Sequence, residues 1–327
     1  MENKYLLSIC IPTYNRAHYL EECLNSLVRQ FDNKEIKELV EINISDNASD
    51  DNTGSLVKKY QKQWDNIKYF KNEKNLGPDE NMINSILMAG GKYCWTIGDD
   101  DLIQNGGLKF VIGVLKKKPV SLLTVDSNPF INSDACKKRQ DNLSYELVSY
   151  YNSPEEFWSK GYCQGTFGIL IFNRESWLKI DRSDYEKLWS YYEIILKMIA
   201  RSNLPLSHIN YPLVFIGQDY RWNKNGTALF TSINFKKVLN KLTEYGYSKK
   251  FIESKKLMMA KSLPATILSA KSYGLKCSFS RLKLIYEEFY KYPIIVLTAT
   301  LLFFIPNPII MALKYTKNKI KKYAKKN

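Results

Sequence analysis

Leu6-Leu7-Ser8-Ile9-Cys10-Ile11-Pro12 is apolar almost throughout and runs straight into Thr13-Tyr14-Asn15-Arg16. A short apolar run that stops at a proline reads as a strand covered on both faces, the habit of parallel sheets. Residues 19–30 follow with Leu20, Cys23, Leu24, Leu27 and Val28 at helical spacing. The alternation then repeats. Residues 39–45 (LVEINIS) form a second strand, ending in the polar turn Asp46-Asn47-Ala48-Ser49-Asp50-Asp51, and 53–64 a second helix. Residues 67–70 are a third strand, 79–89 a helix after Gly77-Pro78, and 92–97 a fourth strand that stops at Gly98-Asp99-Asp100-Asp101. A helix at 108–116 and a strand at 120–125 complete this half.

Strands separated by helices of this length imply βαβ crossovers, hence an α/β fold with a mostly parallel, Rossmann-like sheet and helices on both faces. Ligands of such sheets sit beyond the carboxyl ends of the strands. Three polar clusters fall at those ends: residues 13–16, 46–51 and 99–101. Their convergence is the main positional pointer to a site. Beyond it, 126–153 is polar and irregular, 166–172 strand-like, 185–201 an amphipathic helix, 218–227 a polar loop, and the chain past 232 mainly helical.

Asp99-Asp100-Asp101 places three carboxylates together, which repel one another unless solvent or a cation compensates. Hard cations such as Mg²⁺ or Mn²⁺ take oxygen ligands and share one or two carboxylates with substrate phosphates. A solvated acidic turn, or the start of a helix, is the plainer reading of the same residues.

The order of motifs decides between them. Residues 8–16 resemble the first strand and loop of the family 2 glycosyltransferases. Residues 44–51 resemble that family's D-D-x-S-x-D segment, with Asn47 in place of the second acid. Asn75-Leu76-Gly77 with Asn81 is similar to its N-x-G…N segment, and residues 98–101 stand where its D-x-D-D metal motif belongs. The resemblance covers about residues 5–120 strongly and 160–225 weakly, and it implies the GT-A fold with a helical C-terminal extension. Within it, the chain resembles bacterial O-antigen and capsule sugar transferases of the abequosyltransferase-like kind.

Carried over residue by residue, the resemblance implies a nucleotide-sugar site made by Pro12, Thr13, Tyr14, Arg16, Asp46, Asn47, Asn75, Gly77 and Asp99. Thr13 and Tyr14 would flank base and ribose, Asp46 would accept from the base, and Asp99 would face the ribose. Asp100, assisted by Asp101, would hold Mg²⁺ or Mn²⁺. Gly98 replaces the usual first acid of the motif, which leaves coordination to Asp100, Asp101 and the diphosphate. Arg16 and Lys74 are candidates to meet phosphate charge, although surface basic residues commonly have no such task.

Family members invert the anomeric centre, which needs one carboxylate to take the acceptor's proton. Glu193, in the helix after residue 189, is the candidate. A shift of one residue would put Tyr192 there, and Asp184 is next. Gln218-Asp219-Tyr220-Arg221-Trp222 matches the Q-x-x-R-W pattern of processive synthases, making Arg221 and Trp222 candidate catalytic residues beside the acceptor and diphosphate. The division expected is a catalytic domain at 1–230 (nucleotide-sugar half 1–125, acceptor half 126–230), a helical extension at 231–292, and an apolar segment with a polybasic tail at 293–327.

The net charge of +15 gathers at one end: no acid follows Glu288, and seven lysines lie between Lys314 and Lys326. Residues 293–313 carry no charge, but Pro306 and Pro308 divide them. An interfacial helical hairpin with lysines on anionic headgroups is expected, giving a peripheral protein on the inner face of the cell membrane. A core helix and a true membrane span are the rivals. The partners expected are a nucleotide-diphosphate sugar, a glycan or lipid-linked saccharide acceptor and the cytoplasmic membrane surface, with no nucleic acid. A basic nucleic-acid binder or a non-catalytic scaffold on the same fold is the alternative. The six dispersed cysteines and two histidines disfavour a zinc site, and the cysteine usage suits the cytosol. No glycine occurs in residues 6–16, which argues against dinucleotide oxidoreductases and nucleotidyltransferases. An aromatic share of 13%, with 23 tyrosines, suits either a carbohydrate-lined site or ordinary half-buried packing.

Overall fold

A computed structural model of the chain describes residues 4–129, 134, 136–138, 140, 143–217, 227–276 and 278–312. The chain divides into two units, Met1–Gln218 and Asp219–Asn327.

The described residues of the first unit form nine strands: β1 (Tyr5–Thr13), β2 (Val40–Asp46), β3 (Ile67–Lys71), β4 (Gly91–Thr96), β5 (Leu102–Ile103), β6 (Leu122–Pro129), β7 (Val148–Tyr151), β8 (Leu170–Asn173) and β9 (Leu206–Ile216). They form one sheet in the order β3-β2-β1-β4-β8-β6-β9-β5, with β7 paired to β9. The strands β3, β2, β1 and β4 are mutually parallel, as the alternating pattern predicts. The sheet turns mixed where β8 runs antiparallel to both β4 and β6. Its helices are α1 (Ala17–Val28), α2 (Lys34–Leu39), α3 (Thr53–Gln61), α4 (Pro78–Leu87), α5 (Gly107–Lys117), α6 (Pro154–Ser159), α7 (Arg174–Leu178) and α8 (Ser190–Arg201).

Central strand β1 buries Leu7, Ile9, Cys10 and Ile11, and α1 lays Leu20, Cys23, Leu24 and Leu27 in the core. Each such aliphatic side chain contributes about 1.5–3 kcal/mol on burial. The amphipathic segment expected at 185–201 becomes helical only at Ser190, and α2 and β9 have no counterpart in the periodicity reading. Register does the positioning. Thr13 pairs with Asp46 across β1 and β2, and Cys10 with Thr96 across β1 and β4. The carboxyl ends of the three strands therefore bring residues 13–16, 46–51 and 98–101 to one edge.

One buried charge ties β2 into this frame. Glu41 is buried; it accepts from Ser8 Oγ (2.6 Å) and the Gly90 N–H (2.5 Å), and its other oxygen lies 2.7 Å from Lys68 Nζ. Burial pushes its carboxyl up, but Lys68, Ser8 and the Gly90 N–H outweigh that and hold it below its ordinary value. A depressed folded pKa contributes stability that is complete above the unfolded value, about 4.3, and is lost as pH falls through the folded value. Glu41→Gln is therefore expected to lower the thermal midpoint at pH 7 and to narrow its deficit below about pH 4. Parallel midpoint-against-pH curves for variant and wild type would remove Glu41 from the acid sensitivity.

The second unit is helical: α9 (Thr227–Leu242), α10 (Lys249–Ser272), α11 (Phe279–Phe289) and α12 (Pro293–Phe304). Leu229, Ile233, Leu263, Ile267, Ile285, Phe289, Val296 and Phe303 form its core. Residues 293–313 are not one helix: α12 stops at Phe304, and a short helical turn at 307–312 follows Pro306. Among the described residues no helix is long and apolar enough to cross a membrane.

Candidate active site

Side chains lace the three loops at the sheet edge. Asn15 has a left-handed backbone (φ 52°); its N–H donates to Ser49 Oγ (2.8 Å) and its Oδ1 accepts from the Asp50 N–H (2.8 Å). Asp51 accepts from the Ala17 N–H at 3.1 Å, holding the start of α1. Asn81, buried on α4, receives Ser45 Oγ at 2.8 Å and donates to the Ser45 and Thr13 carbonyls. Asn47 donates to Asn75 Oδ1 (2.9 Å) and the Gly77 carbonyl, and accepts from the Leu76 N–H at 2.8 Å. Gly77 has φ 87° and precedes Pro78 at the head of α4. Asn47, Asn75 and Gly77 thus shape the rim, each engaged with the others.

Asp46 is fully buried, with Oδ1 accepting from the Ser49 N–H (2.9 Å) and Oδ2 from Tyr69 Oη (2.5 Å). Burial, then this hydrogen bond, pushes the Tyr69 phenol up. The sequence points to Asp46 as a base acceptor; the fold makes it the internal brace of the 46–51 turn. Tyr14, by contrast, is exposed at the same edge.

The triplet divides its labour. Asp99 is buried, accepts from Thr13 Oγ1 at 2.8 Å, and lies 3.3 Å from the Arg16 guanidinium. Burial pushes its carboxyl up to about 7, against the pull of Arg16 and Thr13. Asp101 is pushed up to about 6, first by burial and then by Asp100. Its two oxygens accept from the Gly98 N–H (2.8 Å) and the Gly217 N–H (3.0 Å), so it pins β4 to the end of β9. Asp100 is the more open member, 2.8 Å from Arg16. Arg16 also stacks its guanidinium 4.7 Å over Tyr19.

Among the described residues, no group of three or more His, Cys, Asp or Glu is arranged to hold an ion. The donor set still fits a hard cation that takes most ligands from substrate. Asp100 offers a partly exposed carboxylate, balanced at present by the long and partly exposed Arg16 side chain. Asp101, sequence-matched to the metal, spends both oxygens on backbone amides and would serve by position rather than by direct bonds.

Two glycines missed by the motif reading guard this edge. A Cβ on Gly217 would strike the Asp100 carboxylate, and one on Gly168 (φ 84°) would come within 2.8 Å of Asp101 Oδ2. The sequence signal for Gly217 is its place directly after the short apolar run 213–216. Gly217→Val is expected to weaken nucleotide-sugar binding at least tenfold by calorimetry, because Asp100 must move. Binding at wild-type strength would show that Asp100 need not occupy this place.

Glu193 is not open to an acceptor in this conformation. It is fully buried on α8, with Oε1 2.6 Å from Lys197 Nζ and Oε2 accepting from the Glu186 N–H at 2.8 Å. Tyr192 is buried too and donates to the Cys163 carbonyl. Asp184, the next candidate, is exposed, and its carbonyl accepts from Lys197 Nζ. Asp79 accepts from the Leu188 and Ser190 N–H groups, fixing the start of α8 to α4. Beside it, Tyr191 stacks on exposed Phe167 with centroids 4.7 Å apart, and the Asp101 charge helps to raise its phenol pKa after burial. This pair is an aromatic surface near the triplet that no motif announced. Arg221 and Trp222 lie outside the described residues.

A parallel half-sheet thus gathers an acidic triplet, an arginine and an asparagine-laced rim at its strand ends. The model of glycosyl transferase family 2 matches residues 8–176, and the chain belongs to that family and is a glycosyltransferase. Abequosyltransferase RfbV of Salmonella typhimurium is 32% identical over 260 residues, 75% of this chain and 76% of that one. A GalNAc(5)-diNAcBac-PP-undecaprenol beta-1,3-glucosyltransferase of Campylobacter jejuni is 39% identical over 103 residues, 31% of this chain and 32% of that one. Among solved structures, the mannosyltransferase PcManGT of Pyrobaculum calidifontis, in complex with GDP-Man and Mn2+, superposes with a TM-score of 0.55 at 15% identity, covering 97% of this chain and 89% of that one. The fold is GT-A, with C-terminal helices added.

Proposed function

We propose that this chain moves a sugar from a nucleotide diphosphate, with inversion, onto a glycan or a polyprenyl-diphosphate-linked saccharide in O-antigen- or capsule-type synthesis, working at the cytoplasmic face of the membrane. The single observation that carries the reading is the meeting of Thr13, Arg16, Asp99 and Asp100 at one sheet edge. The family and the lipid-linked substrate in a relative's name support the acceptor class.

Asp100, with the diphosphate, would hold Mg²⁺ or Mn²⁺; bound there, the ion neutralises charge on the leaving nucleotide. Thr13 and Asp99 form a buried polar pair suited to a ribose hydroxyl. Arg16 carries positive charge beside the same carboxylates and is poised to answer phosphate charge. Tyr14 offers an exposed ring for the base, and Phe167 one for the acceptor sugar. We assign the acceptor's proton to Asp184, exposed in the turn before α8, rather than to Glu193. A thermal-shift screen of UDP-, GDP-, dTDP- and CDP-sugars, each with Mn²⁺ and with chelator, tests the proposal. One nucleotide series is expected to stabilise the protein only with metal. Silence across all four, with duplex DNA binding instead, would favour the nucleic-acid alternative.

A further inference from the structure

The chain's excess charge belongs to one unit. From Asp219 onward there are 22 Lys and Arg against five Asp and Glu, a surplus of 17; up to Gln218 there are 26 against 28. Among the described residues the same unit presents an exposed apolar stripe. Helix α12 buries Val296, Ala299 and Phe303 against its neighbours, and turns out Ile294 (80% exposed), Leu297 (58%), Leu301 (65%) and Phe304 (65%). The spacing of three, four and three residues puts these four side chains on one stripe.

The stripe is held in place. Lys271, buried at the end of α10, donates from Nζ to the Phe303 carbonyl at 2.7 Å, capping the C-terminus of α12. Asn307 Nδ2 donates to the Leu275 carbonyl at 3.0 Å, fixing the turn beyond the helix. The outward face is therefore a set orientation, not a loose end.

Twelve residues of helix reach about 18 Å, well short of the ~30 Å of a bilayer's hydrocarbon core. Pro306 ends the helix and seven lysines follow within Lys314–Lys326. A short apolar stripe in a strongly basic unit matches an anionic bilayer surface entered to the depth of one helix face.

We propose that α12 lies in the plane of an anionic lipid surface, inserting Ile294, Leu297, Leu301 and Phe304 while the lysines of the same unit meet the headgroups. This rests on the membrane-face reading above and specifies how that face is made. The stripe supplies insertion and the lysines supply lipid-charge dependence, so the two are separable.

The test is co-sedimentation of the full chain with phosphatidylcholine vesicles made with and without phosphatidylglycerol. Wild type is expected to partition at least tenfold better onto the anionic vesicles. The double variant Leu297→Glu with Leu301→Glu is expected to bind the anionic vesicles at least tenfold more weakly than wild type, while keeping its thermal midpoint and its nucleotide-sugar binding. A variant that folds and sediments as well as wild type overturns the proposal. So does a wild type that ignores anionic vesicles but forms a dimer by light scattering that the double variant abolishes, since a second copy then covers the stripe. Wild type that binds donor without binding vesicles refutes the membrane face alone. Wild type that binds vesicles by this stripe without binding any donor supports it and refutes the transferase reading.

Discussion

Asp100→Asn is expected to lower sugar transfer by about 10²–10³-fold or more, the scale on which removal of one group that meets developing charge acts. The reason lies in how the triplet is spent. Asp99 is committed to Thr13 and Arg16, and Asp101 to the Gly98 and Gly217 amides. Asp100 has its charge balanced chiefly by a partly exposed side chain, Arg16 at 2.8 Å. The asparagine keeps the shape and loses the charge, so the thermal midpoint without ligand is expected to stay within a few degrees. Initial rates with saturating donor, alongside that midpoint, check it. Transfer within a few-fold of wild type would place the cation elsewhere.

The second large effect concerns the interior. Glu193 and Lys197 are a nearly fully buried pair one helical turn apart, at 2.6 Å. Breaking such a pair strands a charge away from water and costs about 3–5 kcal/mol, whereas replacing both partners with apolar groups is often neutral. For a unit this size about 1 kcal/mol is worth roughly 2–4 °C. Lys197→Met is thus expected to lower the midpoint by about 10 °C, and Glu193→Leu with Lys197→Met to recover more than half of it. Glu193→Gln is expected to lose stability as Lys197→Met does, while Asp184→Asn keeps the midpoint and loses turnover. A Glu193→Gln protein with an unchanged midpoint and turnover reduced a thousandfold would reverse the assignment and make Glu193 the base.

The parallel half of the fold was legible because its signals are local. Four strand-like runs occur before residue 98, each separated from the next by a turn and a 3.6-residue period, and β1 to β4 appear where they predict. The short α2, and β9 with Tyr211 and Pro212 in its middle, carry weaker patterns that tertiary pairing overrides. The site was legible as a set of positions but not as a set of roles. Motif order puts Asp46, Asn47 and Asp101 at the edge. Which way each side chain turns depends on partners far along the chain, such as Tyr69 for Asp46 and Gly217 for Asp101. Glu193 shows the same limit, since its burial depends on how α8 packs, and a carboxylate on an amphipathic helix reads as polar surface until that packing is known. Gly217 and Gly168 escape any motif because their importance is the space they leave for someone else's carboxylate.

The proposed transfer depends on coupling between cation and nucleotide at Asp100. Titrating the stabilising nucleotide diphosphate into wild-type protein by calorimetry, with Mn²⁺ and then with chelator, measures that coupling directly. Binding is expected to tighten at least tenfold with Mn²⁺ in wild type and by less than twofold in Asp100→Asn. Equal affinity with and without the ion in wild type, or full coupling retained in the variant, would contradict it.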